Sequence, residues 1–200
     1  MTNDRKKTAW ILIAASLLMF SPLAMVLLGY NIPVFKNLGF GADSFAPLTN
    51  WILATIVAIA YVVYTFRVIP FVRSMQREIS LFKLVGIVSA VVGGIVEEAI
   101  FRRWLMDYLM YGGFGPVIQV VLSGVVFGLA HGSWLLARGA FKFALPAILS
   151  TAVLGTCLAG IYLLGGRNLG PCIFAHVLVN MVIEPWLVLS AVSGRWKELQ

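Results

Sequence analysis

One stretch of this chain decides its fold: Val96-Glu97-Glu98-Ala99-Ile100-Phe101-Arg102-Arg103. It places two adjacent acidic residues and two adjacent basic residues inside a long apolar run. On insertion scales a charged side chain at the centre of a membrane helix costs about 2.5–3.5 kcal/mol. Four such residues therefore indicate side chains that face protein or water and that pair with one another.

The spacing of these charges gives the two acids different expected roles. Glu98 and Arg102 are four residues apart, so on a helix they share one face and are predicted to form an ion pair. Glu97 lies about 100° further around the helix and cannot share that pair equally. The sequence therefore predicts that Glu98 supports the structure and that Glu97 is available for chemistry.

The composition indicates a membrane protein of the all-α class. The chain has 200 residues, of which 60% are hydrophobic and 12% are charged, whereas about 25% are charged in soluble domains. This length accommodates about six transmembrane helices in one polytopic bundle. The net charge of +7 comes mainly from Lys and Arg beside apolar runs, which favours anionic lipids as partners and argues against nucleic acid. The two cysteines form no CxxC pair.

Six apolar runs define the predicted spans, and the third is longer than one bilayer crossing needs, which indicates tilt, projection from the membrane or a kink at Gly93-Gly94. The predicted spans are Ala9 to Tyr30, Thr49 to Ile69, Phe82 to Met110, Val117 to Leu136, Pro146 to Leu164 and Leu169 to Val192. We assign residues 1–83 to two N-terminal helices with a basic connecting segment, and residues 84–192 to the helical core of the same domain, which carries the charged stretch. Basic residues are concentrated in alternate loops and both tails, which predicts that both termini are cytoplasmic.

Several polar side chains inside the predicted spans suggest a site. His176, Asn180 and Glu184 follow one another at steps of four residues, on one face of span 6, and His131 lies in span 4. A carboxylate beside a histidine can activate a water molecule. A histidine and an asparagine amide one turn apart can donate hydrogen bonds to a developing oxyanion. Together these groups predict a hydrolase that uses no serine or cysteine nucleophile.

Each residue taken singly also has a structural interpretation. A histidine or asparagine in a span is often a hydrogen-bonded packing residue, and Glu184 precedes Pro185 near the cytoplasmic end, where a snorkelling or structural role is favoured. Ser123 can bond to backbone or pack against a neighbouring helix. Two acids, two histidines and an amide together favour catalysis, because independent structural residues would not need this combination.

Three motifs in order carry a resemblance to a known family. They are Glu97-Glu98-x-x-x-Arg102, Phe127-x-x-x-His131 and His176-x-x-x-Asn180. The chain resembles the CPBP family of CAAX proteases and bacteriocin-processing enzymes, also called the Abi family, from about Leu84 to Leu189. The resemblance implies an all-helical intramembrane endopeptidase, similar to the type II CAAX prenyl endopeptidase, in a bacterial cytoplasmic membrane.

The resemblance also implies a role for each motif residue. Glu97 is expected to be the general base that activates water, assisted by His131. His176 and Asn180 are expected to form the oxyanion hole. No role is carried over to Glu184, which lies outside the three motifs.

The supporting pair and the metal are the remaining expectations. Glu98 and Arg102 are expected to hold the catalytic segment in place. A metal-free mechanism without any cofactor is favoured, because the chain lacks an HExxH helix. The alternative, in which Glu97, His131 and His176 bind a divalent ion such as zinc, stays open.

The expected reaction is hydrolysis of a peptide bond in a membrane-associated or prenylated-like protein or peptide. One alternative is a non-proteolytic membrane scaffold, immunity factor or regulator that keeps the polar cluster for stability or partner binding. Another is a proton-coupled transporter, since chains of Glu and His in spans make proton relays. The absence of visible inverted repeats in the sequence ranks the transporter last.

Overall fold

The computed structural model describes residues 2–28, 38–41, 45–137 and 141–196, with no side-chain description at 25–28, 133–137 and 141–143. All regular elements in these residues are helical, which confirms the all-α prediction. The elements are α1 (Asn3–Leu18), α2 (Phe20–Leu28), α3 (Leu48–Val68), α4 (Pro70–Met75), α5 (Leu81–Glu98), a π-helical segment (Ala99–Trp104), α6 (Leu105–Tyr111), α7 (Pro116–Ala137), α8 (Phe141–Leu164) and α9 (Gly170–Ser193).

Four helices of the described residues are long and apolar enough to cross a membrane: Leu48–Val68, Leu81–Tyr111, Ala144–Leu164 and Gly170–Ser193. They correspond to predicted spans 2, 3, 5 and 6. A shorter apolar helix is described over Pro116–Gly132 and overlaps predicted span 4. The membrane character of the chain is thus confirmed.

Predicted span 1 has a different local structure from the others. In the N-terminal region α1 and α2 meet at Met19, whose N–H still donates a hydrogen bond to the Ala15 carbonyl oxygen, at 3.0 Å. The basic residues Lys36 and Arg138, which lie in two of the loops used for the topology prediction, are outside the described residues. The count of six spans and the cytoplasmic position of both termini stay predictions.

The long helix Leu81–Tyr111 is irregular immediately after the two acids. A π-helical segment, Ala99–Trp104, joins α5 to α6. The sequence suggested a kink at Gly93-Gly94, but those two glycines lie within regular α5. Widened π turns inside α-helices are frequent at functional sites, because they reposition side chains while the helix continues. The hydroxyl of Ser123 donates a hydrogen bond to the Phe101 carbonyl in this segment, at 2.9 Å, so the backbone-bonding interpretation of Ser123 is confirmed.

The chain divides into two compact units, and the first consists of Met1–Asn37, Ala58–Glu97 and Ile173–Gln200. Within it, α5 packs closely against α9. A methyl group added at Gly86 would lie 2.6 Å from Cβ of Pro185, and one added at Gly94 would lie 2.6 Å from Cγ2 of Val177. Small residues permit this close approach of two membrane helices.

The second unit consists of Leu38–Val57 and Glu98–Cys172. Within it, α7 and α8 approach closely through glycines: a methyl group at Gly128 would lie 2.5 Å from the Ile148 carbonyl oxygen, and one at Gly155 would lie 2.9 Å from the Phe127 ring. Small residues permit this close approach of the two helices. The sequence-based division into residues 1–83 and 84–192 stays a prediction.

Candidate active site

The centre of the candidate site in the first unit is the pair Glu97 and His176. Oε2 of Glu97 lies 3.7 Å from Nε2 of His176. The His176 side chain is 2% exposed and that of Glu97 is 17% exposed. The separation is longer than a direct hydrogen bond, and it suits two groups that contact the same water or ion.

The face of α9 that carries His176 and Glu184 contacts α5 at both of these positions. His176 faces Glu97, and two turns further along α9 the Ser89 hydroxyl donates a hydrogen bond to Oε1 of Glu184, at 3.0 Å. Asn180 lies between them on the same face and is partly exposed. No hydrogen bond of its amide is found among the described residues.

The contact between Ser89 and Glu184 was missed by the sequence analysis. Ser89 and Glu97 are eight residues apart on α5, as His176 and Glu184 are on α9. Eight residues are close to two helical turns, so each pair shares one face. This matched spacing is compatible with the contact, but it predicts the contact only once α5 and α9 are known to be neighbours.

The second unit contains the predicted ion pair of Glu98 and Arg102. Nε of Arg102 lies 3.0 Å from Oε2 of Glu98, and both side chains are 0% exposed. Nη2 of Arg102 donates a further hydrogen bond to the Gly155 carbonyl, at 3.4 Å. The guanidinium carbon lies 4.5 Å from the centre of the Phe127 ring. The buried pair is therefore held by hydrogen-bonding and cation–π contacts as well as by its own charges.

The second unit also holds His131, one turn after Phe127. Nδ1 of His131 lies 2.9 Å from the Phe127 carbonyl oxygen, and the two rings are centred 4.3 Å apart. A carbonyl oxygen can only accept, so Nδ1 carries a proton, and in the neutral ring the lone pair is then on Nε2. Phe127 contacts both Arg102 and His131, which gives the first residue of its motif a physical role.

Three residues of the sequence motifs are suitable metal ligands. Glu97, His131 and His176 each offer one carboxylate oxygen or imidazole nitrogen, and zinc binds both kinds of atom. The separation of 3.7 Å between Glu97 and His176 is close to the value of about 3.3 Å for two donors on one tetrahedral zinc ion. The donor chemistry thus fits a divalent ion.

A polar cluster outside the three motifs occupies the second unit. Arg167 donates hydrogen bonds to Oδ1 of Asp107 and to Oε1 of Gln119, the latter at 2.6 Å, and the Tyr162 hydroxyl lies 3.5 Å from the same Asp107 oxygen. Arg167 has a left-handed backbone conformation, with φ of 63°. Arg167 lies between predicted spans 5 and 6, and its cluster was not predicted from the sequence. These contacts anchor the turn between α8 and α9 to α6 and α7.

Comparison with known proteins identifies one family. The family described as Type II CAAX prenyl endopeptidase Rce1-like matches residues 79–182, just over half of the chain. The matched region includes every residue of the three sequence motifs. No curated protein and no solved structure matches the chain.

Proposed function

Because this chain belongs to the type II CAAX prenyl endopeptidase Rce1-like family, we propose that it hydrolyses a peptide bond with a water molecule activated by Glu97. At the level of the family it is an integral membrane protein of the CAAX endopeptidase type, acting on protein or peptide substrates at the membrane. The observation that carries the proposed mechanism is the approach of Glu97 to the buried His176.

The reaction proceeds through a tetrahedral intermediate. The Glu97 carboxylate accepts a proton from water while the water oxygen bonds to the scissile carbonyl carbon. The resulting oxyanion accepts hydrogen bonds from the Asn180 amide and from His176. As the C–N bond breaks, the proton held by Glu97 passes to the departing amine nitrogen, and the carboxylate is regenerated.

His131 assists the same water in this proposal. With Nδ1 donating to the Phe127 carbonyl, neutral His131 presents Nε2 as a hydrogen-bond acceptor, which can orient a water proton. The Phe127 ring, tilted by 41° to the imidazole ring, limits the rotation of His131. The role of His131 is to position the water, and proton abstraction is assigned to Glu97.

The metal-dependent alternative uses the same side chains. Glu97, His131 and His176 would hold the ion, and a bound zinc would lower the pKa of its water. We propose the metal-free form, because a general base and two hydrogen-bond donors already account for each step of the hydrolysis.

The substrate and the setting are also part of the proposal. We assign the activity to a membrane-associated or prenylated-like protein or peptide, in a bacterial cytoplasmic membrane. Arg67, Arg73 and Arg77 are exposed near the ends of α3 and α4. Their guanidinium groups suit contacts with anionic lipid headgroups on the cytoplasmic side.

The decisive experiment is Glu97→Gln, which keeps size and hydrogen bonding but removes the base. The wild type or the variant is expressed in cells that lack the protein, and the two expression levels are matched by immunoblot. The peptide termini in the membranes are then compared by mass spectrometry. We expect termini specific to the wild type, produced at least 100-fold more slowly by the variant. The proposal would be rejected if both forms produced the same peptide termini at the same rate, or if the wild type produced no specific termini. Either result would favour a non-proteolytic scaffold.

A further inference from the structure

Two sets of contacts fix how α5 and α9 face each other in the first unit. In each set, eight residues forward on α5 correspond to eight residues backward on α9, as antiparallel helices require. The packing contacts are Gly86 with Pro185 and Gly94 with Val177. The polar contacts are Ser89 with Glu184 and Glu97 with His176.

The midpoint of the polar set is Gly93 on α5 and Asn180 on α9. Gly93 lies four residues after Ser89 and four before Glu97, and Asn180 divides the α9 positions in the same way. Gly93 therefore faces Asn180 across the contact between the two helices.

The space in front of Gly93 is almost open, whereas the space in front of Gly94 is filled. A methyl group added at Gly93 would have only one atom of the described residues within 4 Å, Oε1 of Glu97 at 3.4 Å. A methyl group added at Gly94 would collide with Val177. Helix packing thus explains Gly94 but not Gly93, although glycine is less favourable than alanine inside a helix.

We infer that the open face of Gly93 receives the scissile peptide group, between the Glu97 carboxylate and the Asn180 amide. This inference rests on the proposed function. Glycine lets another backbone approach a helix closely, and a peptide carbonyl placed there meets the base on one side and the oxyanion donor on the other. A methyl group at this position would occupy the volume that the attacking water needs beside Oε1 of Glu97. Gly93 is accordingly a positioning residue.

The test compares Gly93→Ala with its matched control, Gly94→Ala. For Gly93→Ala we expect at least a tenfold slower appearance of the wild-type-specific peptide termini, with an unchanged or higher Tm of the purified protein in detergent. For Gly94→Ala we expect a lower Tm, because the added methyl group meets Val177. Cleavage by Gly93→Ala within twofold of the wild type would overturn the inference.

The same series separates this inference from the proposed function. If Glu97→Gln is inactive and Gly93→Ala is active, only the role of Gly93 is wrong. If Glu97→Gln cleaves at the wild-type rate, the proposed function fails as well.

A measurement that needs no substrate keeps the inference testable if Gly93→Ala fails to fold. The variant Gly93→Cys is treated in membranes with a small charged methanethiosulfonate reagent, and the wild type, with Cys157 exposed and Cys172 buried, sets the background. The control is Val91→Cys, since Val91 is 38% exposed on the span surface and would face lipid. We expect faster labelling at position 93 than at position 91. Equal or slower labelling at position 93 would show that water does not reach the face of Gly93 and would overturn the inference.

Discussion

Glu97 and Glu98 are neighbours in the sequence, yet their surroundings differ in almost every respect. The Glu98 carboxylate is fully buried and lies 3.0 Å from Nε of Arg102. The Glu97 carboxylate is 17% exposed and faces the imidazole of His176 at 3.7 Å. A rotation of about 100° around one helix therefore separates a carboxylate paired with a permanent cation from one beside a titratable group.

This difference shows what a buried carboxylate needs for each role. A structural carboxylate must keep its charge compensated at all times, because an unpaired charge in a low-dielectric interior is costly. A general base must gain and lose a proton, and this is permitted when the carboxylate itself is partly exposed to water and lies beside a histidine. The predictions below test this division of roles.

The largest expected effect concerns the buried pair. Arg102→Ala should lower the free energy of unfolding by about 3–5 kcal/mol, because it leaves Glu98 buried without its cation. Thermal unfolding of the detergent-solubilised protein measures the change. The double variant Glu98→Ala/Arg102→Ala should lose less stability than the sum of the two single variants. Additive losses would show that the two side chains do not stabilise each other. The structural role assigned to Glu98 would then be wrong.

A slightly smaller effect is expected at the oxyanion donor. Asn180→Ala should lower kcat by about 10²–10³-fold, equivalent to about 2.7–4 kcal/mol. Its Tm should stay close to that of the wild type, since no hydrogen bond of the amide is found among the described residues. The matched control is Glu184→Gln, one turn further along α9, which can still accept from Ser89 and should keep kcat within a few-fold. If Asn180→Ala lowers stability and leaves kcat unchanged, the residue is structural.

The smallest effect contrasts the buried ion pair with a partly exposed one. Nη1 and Nη2 of Arg5 each lie 2.7 Å from one oxygen of Glu78, and the two side chains are 26% and 28% exposed. An exposed pair contributes only about 0.2–1 kcal/mol. Glu78→Gln should therefore reduce stability far less than Arg102→Ala.

The dependence on pH gives this pair a distinct signature. Hydrogen bonds from Arg5 lower the pKa of Glu78 below its ordinary value. The stabilisation is therefore complete above the pKa of the unfolded chain, about 4.3, and is lost as the pH falls through the lower pKa of the folded state. The stability difference between wild type and Glu78→Gln should shrink on acidification towards pH 3. A difference that grows at low pH would contradict the role of Arg5.

The sequence by itself determined the class of the protein and its local pairings. Sixty per cent hydrophobic residues with few charges require helices whose backbone hydrogen bonds are satisfied internally, which is why the all-helical membrane fold was predictable. The four-residue step between Glu98 and Arg102 required their contact on any helix. The order of the three motifs indicated the family that the match over residues 79–182 identifies.

Only the tertiary structure decided what each helix face meets. The π-helical segment at Ala99–Trp104, the bond between Ser89 and Glu184 and the contrast between Gly93 and Gly94 were not readable from spacing. Helical periodicity fixes the angle of a side chain around its own axis, but the neighbouring helix and the distance to it depend on packing across the whole bundle. For that reason the sequence separated the two acids by angle, and the fold gave one of them Arg102 and the other His176.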